Sequence, residues 1–92
     1  MESRKDIKTT ERMHKALGNR RRLMIVKYLE KVGQASVGTI AEEINLSFKS
    51  TSRHLSLLAG SELLEREQTS TTVQYQLARP LHPILRTTLH IL

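Results

Sequence analysis

The chain has no cysteine among its 92 residues. Disulfides, thiolate metal sites and cysteine nucleophiles are therefore excluded, and the absence fits a reducing compartment. No apolar run is long enough to span a bilayer. The polar N-terminus, "MESRKDIKTTERM", lacks the apolar core of a signal peptide. No repeat or low-complexity segment is present. No nucleophile–base constellation, phosphate loop or metal cage can be assembled either. Glu42 and Glu43 are adjacent, so they do not share a helix face, and no histidine stands near them in sequence. An enzyme is not expected, and no cofactor is implied. The most local absence is of negative charge: no carboxylate lies between Glu43 and Glu62, a stretch that carries Lys49 and Arg53.

Against this, positive charge is in excess, with 15 basic and 9 acidic residues for a formal net charge of +6. Such an excess points to a polyanionic partner, most often nucleic acid. It is unevenly placed. Residues 1–31 hold ten basic and four acidic side chains, and residues 32–92 hold five of each.

The length fits a single domain over 1–92. Residues 1–8 read as a flexible polar arm. Thr9 or Thr10 can cap a first helix over 9–17, with Met13, Ala16 and Leu17 on one face. Asn19 is a good cap for a second helix, from Arg20 to about Lys31, in which Ile25, Val26, Leu29 and Val32 recur at helical spacing. Gly33, Gln34 and Ala35 read as a loop. Ser36 can cap a third helix carrying Val37, Ile40, Ala41 and Ile44 at i, i+3, i+4 and i+7. Asn45, Leu46 and Ser47 form a tight turn, since asparagine tolerates the left-handed conformation that ends a helix. Ser47 caps the next helix, over 48–59. The period then changes. Leu63 and Leu64 lead one strand, the polar run 69–72 turns, and Val73, Tyr75 and Leu77 alternate with glutamines in a second. Pro80 and Pro83 open a last helix over 80–92.

Two short helices joined by a three-residue turn and followed by a hairpin are a helix-turn-helix, 36–59, with a wing, 63–77. The expected fold is mainly α with a small β-hairpin: a winged helix-turn-helix of about five helices and a two-stranded wing. At 100° per residue, Thr51, Leu55 and Leu58 of the second helix point inward. Lys49, Arg53 and Ser56 share the opposite face, flanked by Ser50 and Ser52. That face offers donors and cations without bulk or negative charge, as entry into a major groove requires. The candidate DNA-binding residues are Ser47, Lys49, Ser50, Ser52, Arg53 and Ser56, joined by Thr71 and Thr72 at the wing tip, and the expected partner is double-stranded DNA.

"ALGNRRRLMIVKYL" at 16–29, "IAEEINLSFKSTSRHLSLL" at 40–58 and "LL-(x8)-VQYQL" at 63–77 resemble the winged-helix repressors of the arsenic-sensing ArsR/SmtB family. Leu46, Ser47, Ser52, Arg53, His54 and Leu55 match the family's recognition-helix pattern. Arg22 and Leu23 match a second-helix pair, and Tyr75 a wing tyrosine. The resemblance implies a cytoplasmic homodimer, paired through its terminal helices on a palindromic operator. Met13, Leu17, Leu81, Ile84, Leu85, Leu89 and Leu92 are the expected dimer contacts, because a terminal helix on so short a chain has little core left to cover. The chain departs from its metal-sensing relatives. Ser36, Val37 and Gly38 stand where those carry Cys-Val-Cys. His82 and His90 have no acidic neighbour on the last helix, so they are expected not to bind metal, and no metal site is assigned. Zinc, arsenite and oxidants are expected to leave DNA affinity nearly unchanged, and the effector, if there is one, is unknown. The wing tip holds Thr69, Ser70, Thr71 and Thr72 where relatives often carry arginines and a glycine.

Several residues leave two roles open. Phe48, the only phenylalanine, is either a base- or methyl-contacting residue or a lid on the helix–helix junction. Arg20 and Arg21 face either solvent or DNA. His54 is expected to make a structural contact, Arg22 an ion pair with Glu42 or Glu43, and Thr51 a hydrogen bond to a carbonyl of its own helix. The competing function is a winged-helix module that binds protein and not DNA. It draws on the weakly charged wing and the neutral C-terminal two-thirds. A protein-binding face would be more apolar than that of Lys49 and Arg53.

Overall fold

The computed structural model describes residues 4–92, with side chains from Asp6 onward. Its elements run α1 (Arg4–Leu17), α2 (Arg20–Val32), β1 (Gln34–Ser36), α3 (Val37–Glu43), α4 (Phe48–Gly60), β2 (Leu64–Gln68), β3 (Val73–Leu77) and α5 (Pro83–Ile91). The five helices and the winged helix-turn-helix are as the sequence predicts. The three-stranded sheet is not.

Local chemistry sets most boundaries. Asn19, Ser36 and Ser47 each have extended backbone and accept a hydrogen bond from the N–H three residues on, capping α2, α3 and α4. Gly33 ends α2 at φ 90°, a conformation that costs a side-chain-bearing residue more, while its N–H donates to Leu29 O at 2.8 Å. Asn45 ends α3 at φ 55°, and the following N–H of Leu46 returns to Ala41 O at 3.0 Å. That turn is what swings α4 away from α3.

Three boundaries differ from the sequence reading. Helix α1 begins at Arg4, so Thr9 and Thr10 lie inside it rather than at its cap, and residues 4–8 of the supposed arm are helical; residues 1–3 lie outside the described region. An acidic Asp6 in the first turn favours the longer helix, and an exposed Glu11–Lys15 pair at 3.5 Å supports its middle. Gln34 and Ala35 are not in a loop but form β1 together with Ser36, and β1 pairs antiparallel with β3 through Ala35 opposite Tyr75. The sheet order is therefore β1-β3-β2. A three-residue strand is too short to show alternation. Finally, α5 starts at Pro83, not Pro80, and its cap is His82, whose Nδ1 accepts from Ile84 N at 3.1 Å.

The core is one cluster. Ile25 and Leu29 of α2, Ile40 of α3, Leu55 and Leu58 of α4, Leu63 just ahead of β2 and Leu85 of α5 are all fully buried. Helix α4 thus lies on the core along the side carrying Thr51, Leu55 and Leu58. Thr51 is the irregular member. Its N–H donates to Ser47 O at 3.0 Å, but its hydroxyl makes neither the expected bond to its own helix nor any other among the described residues.

A buried hydroxyl without a partner costs about 1–3 kcal/mol relative to an apolar group of the same shape. Thr51→Val should therefore raise the unfolding free energy by roughly 1 kcal/mol in a denaturant titration. A loss of stability would mean that Thr51 Oγ1 is satisfied in solution.

Candidate nucleic-acid interface

The outward side of α4 is open. Ser47, Lys49, Arg53 and Ser56 are exposed, with Ser50 and Ser52 half-buried on the flanks. Lys49 and Arg53 are one turn apart, so both side chains rise from one face. Ser47 holds the first turn in place by accepting from Ser50 N at 3.1 Å. Phe48, at the helix's first position, is 62% exposed and so covers no junction. Of its two open roles, the lid is removed.

The wing contributes less charge at its tip than along its length. Thr71 and Thr72 are exposed. The turn is closed on itself: Thr69 N donates to Thr72 O at 2.9 Å, and the Thr69 and Thr72 hydroxyls lie 2.9 Å apart. Arg66, which the sequence reading passed over, sits opposite Tyr75 and on the sheet face of Leu64 and Tyr75. Glu65 and Glu67 occupy the other face, where they accept from Gln76 Nε2 at 3.2 Å and Gln34 Nε2 at 2.9 Å. The wing's exposed cation is thereby separated from its two carboxylates. The alternation Glu65-Arg66-Glu67 was the available signal, since adjacent strand residues point to opposite faces.

What fixes α4 relative to the other helices is the start of α2. Arg21 is half-buried and does not sit free in solvent. Its Nη1 donates to Ile44 O at 3.1 Å and Asn45 O at 3.4 Å, closing the C-terminal end of α3. Arg22 does not pair with Glu42 or Glu43. Its Nε donates to Ala16 O and its Nη2 to Lys15 O at 3.4 Å, while Nη1 donates to His54 Nδ1 at 3.1 Å. A guanidinium cannot accept, so His54 must present a lone pair at Nδ1 and carry its proton on Nε2. His54 is structural, as expected. Arg20 alone of the three is exposed.

The expected dimer residues divide sharply. Met13, Leu17, Leu85 and Leu89 are buried in the chain's own core. Leu81 and Ile84 are half-buried, and Leu92 is 43% exposed. The apolar surface left open on the terminal helices belongs to Ile7 at 68% and Ile91 at 75%. His82 is engaged as a cap and His90 is exposed in the last turn of α5. Among the described residues, no three His, Asp or Glu side chains are grouped to hold a metal ion.

A helix-turn-helix with a basic, carboxylate-free second helix and an adjoining wing is the architecture of a winged-helix transcriptional regulator. The profile of the bacterial regulatory protein, arsR family, matches residues 19–66, and the chain belongs to that family; it is a regulator and not an enzyme. Among solved structures it is similar to the homodimeric winged helix-turn-helix DNA-binding domain of Mb0332 from Mycobacterium bovis, a possible ArsR-family regulator. The identity is 27%, with 99% of this chain and 83% of that one covered and a TM-score of 0.83. It is similar to reduced HlyU from Vibrio cholerae at 26% identity, covering 96% and 88% of the two chains with a TM-score of 0.78. The repressor PagR of Bacillus anthracis shares the fold at 20% identity, 97% and 98% coverage and a TM-score of 0.81. No curated protein matches the sequence. Among the described residues, no helix is long and apolar enough to cross a membrane.

Burial, then the charges of Arg22 and Arg21, hold the His54 imidazole below its ordinary value of 6.5. The neutral ring is therefore the folded form, and between the two values the unfolded chain binds more protons. The contribution is fully present above 6.5 and is lost as pH falls through the lowered folded value. Denaturant titrations from about pH 7 to about pH 5 should show stability falling. The fall should be shallower in His54→Gln, whose amide oxygen accepts from Arg22 without titrating. Identical slopes would show that His54 is not the group whose protonation lowers stability.

Proposed function

We propose that the protein is a homodimeric, sequence-specific repressor of the cytoplasm that binds a palindromic DNA operator through α4. The observation that carries this reading is the exposed row of Lys49 and Arg53 on a helix whose other side is fastened to the core. Arg53 is forked and always charged, and from the middle of α4 it reaches guanine O6 and N7. Lys49 lies in the first turn, near the groove's edge, and takes phosphate, as do the N-terminal amides behind Ser47. Ser50, Ser52 and Ser56 add small donors along the groove wall. Thr71, Thr72 and the newly placed Arg66 reach the neighbouring backbone. A two-fold dimer sets two such helices about one DNA turn apart, on half-sites roughly 34 Å from centre to centre. Repression follows from occupancy, because a dimer seated on an operator excludes polymerase from the same DNA.

The pairing surface is best sought where apolar area remains open, around Ile7 of α1 and Ile91 of α5, with Ile84 and Leu92 beside them. Leu85→Glu would strike the folding core first. Ile91→Glu places a charge on an already exposed position, so the variant should stay folded and sediment as a monomer with operator affinity lowered at least tenfold, or about 1.4 kcal/mol. A variant that is still dimeric would move the interface elsewhere.

Arg53→Ala should cost about 1–3 kcal/mol on the operator and little on random duplex. Lys49→Ala should weaken both alike and reduce the salt slope by about one unit per subunit. A folded, dimeric double variant with unchanged affinity for every duplex would remove α4 as the recognition helix. It would favour the competing reading of a protein-binding module.

A further inference from the structure

The proposed DNA contacts leave Phe48 without a task. A phenylalanine is among the residues most often buried, yet this one is 62% exposed on the helix assigned to the major groove. It is also rigidly presented. Ser47 Oγ accepts from Ser50 N at 3.1 Å, and Ser47 O accepts from Thr51 N at 3.0 Å, so the first turn of α4 is closed on both sides of the ring's Cα. An apolar docking patch would explain the exposure if other apolar groups adjoined it. Leu57, the other exposed apolar residue of α4, is nine positions on. At 100° per residue that is the opposite side of the helix, roughly 13 Å along its axis. On its own side of α4, Phe48 is followed by the half-buried Ser52 one turn on and by the buried Leu55 two turns on, and the Lys49–Arg53 row lies about 100–140° round the helix. A single exposed apolar side chain at the edge of a basic face, with no second exposed apolar residue beside it on α4, does not make a protein-binding surface.

The major groove offers one sizeable apolar group on its base edges, the 5-methyl group of thymine; the others are hydrogen-bond donors, acceptors or small C–H edges. Resting on the DNA-binding reading above, we infer that Phe48 is a specificity residue that packs on a pyrimidine 5-methyl group in each operator half-site. The ring neither donates to an acceptor nor accepts from an amino group through a lone pair. Set against cytosine N4 or guanine O6, it would strip water from a polar edge and return no hydrogen bond. The contact therefore selects in two ways, by apolar gain at a methyl and by desolvation cost elsewhere. It also extends to cytosine carrying a 5-methyl group, which presents the same apolar knob beside its amino group.

The test uses the full chain and duplexes selected from a random pool. Deoxyuridine replaces thymine at one position at a time, deleting a single methyl. One thymine per half-site should respond, with affinity falling about three- to tenfold for a methyl-sized apolar contact. Phe48→Ala should lose affinity for the unaltered duplex and become indifferent to deoxyuridine at that position, whereas Phe48→Leu should keep part of the response. Changing the same pair to cytosine–guanine should weaken binding, and 5-methylcytosine should recover part of it in the wild type but not in Phe48→Ala. Both variants alter an exposed side chain, and circular dichroism checks that they remain folded. Sequence-specific binding that ignores every thymine methyl, or a methyl response that persists in Phe48→Ala, overturns this inference and leaves the DNA-binding reading standing. Failure of the wild type to bind any duplex overturns both.

Discussion

The pose of the recognition helix depends on two arginines that leave α2 at its first turn. Arg21 donates to the carbonyls of Ile44 and Asn45, and Arg22 to those of Lys15 and Ala16. Each set of carbonyls lies at the C-terminal end of a helix, α3 in one case and α1 in the other, where oxygens lack partners and the dipole is negative. A basic run at a helix start is unfavourable for its own helix. Here that disadvantage is offset because two of the charges turn away from α2 and end two neighbouring helices. The remaining Nη1 of Arg22 reaches His54. One side chain thus joins α1, α2 and α4, and its neighbour secures the turn between α3 and α4. The small core positions α4 along one side only, and these polar ties fix its angle.

That arrangement also explains how a domain with most of its excess charge near the N-terminus can present a basic surface elsewhere. Arg21 and Arg22 are consumed in structure. The cations left for a polyanion on the helix-turn-helix and wing are Lys49, Arg53 and Arg66, and the carboxylates near them are kept apart. Glu65 and Glu67 lie across the sheet from Arg66 and are held by Gln76 and Gln34. Sheet alternation performs the separation, so a wing with little net charge still has a basic face.

Much of this was legible in the chain. The caps at Asn19, Ser36 and Ser47, the αL residue at Asn45 and the inward triad Thr51, Leu55 and Leu58 follow from local rules, and local rules survive folding. The Lys49–Arg53 row follows from them too. What was not legible depends on tertiary partners. The carbonyls that receive Arg21 and Arg22 have no sequence signature, since every residue carries one, and an ion pair with Glu42 or Glu43 was the only partner the side chains suggested. The bond expected of Thr51 is absent, and nothing in its helix explains the unsatisfied hydroxyl. Strand β1 is too short for periodicity, and His82 belongs to no common cap type. The apolar stripe of α5 suggests an interface, because a terminal helix on so short a chain has little core left to cover. Leu85 and Leu89 show that apolar spacing cannot say whether the covering surface belongs to the same chain or to a second one.

The central claim is that α4 and the wing form the surface that meets DNA. Amide chemical shifts of the 15N-labelled protein, followed while a selected operator duplex is added, test it most directly. The account predicts that the largest changes fall on residues 47–56 and 66–73, with α1 and α5 nearly unmoved. Changes concentrated on α1 and α5, or none at saturating duplex, would contradict it.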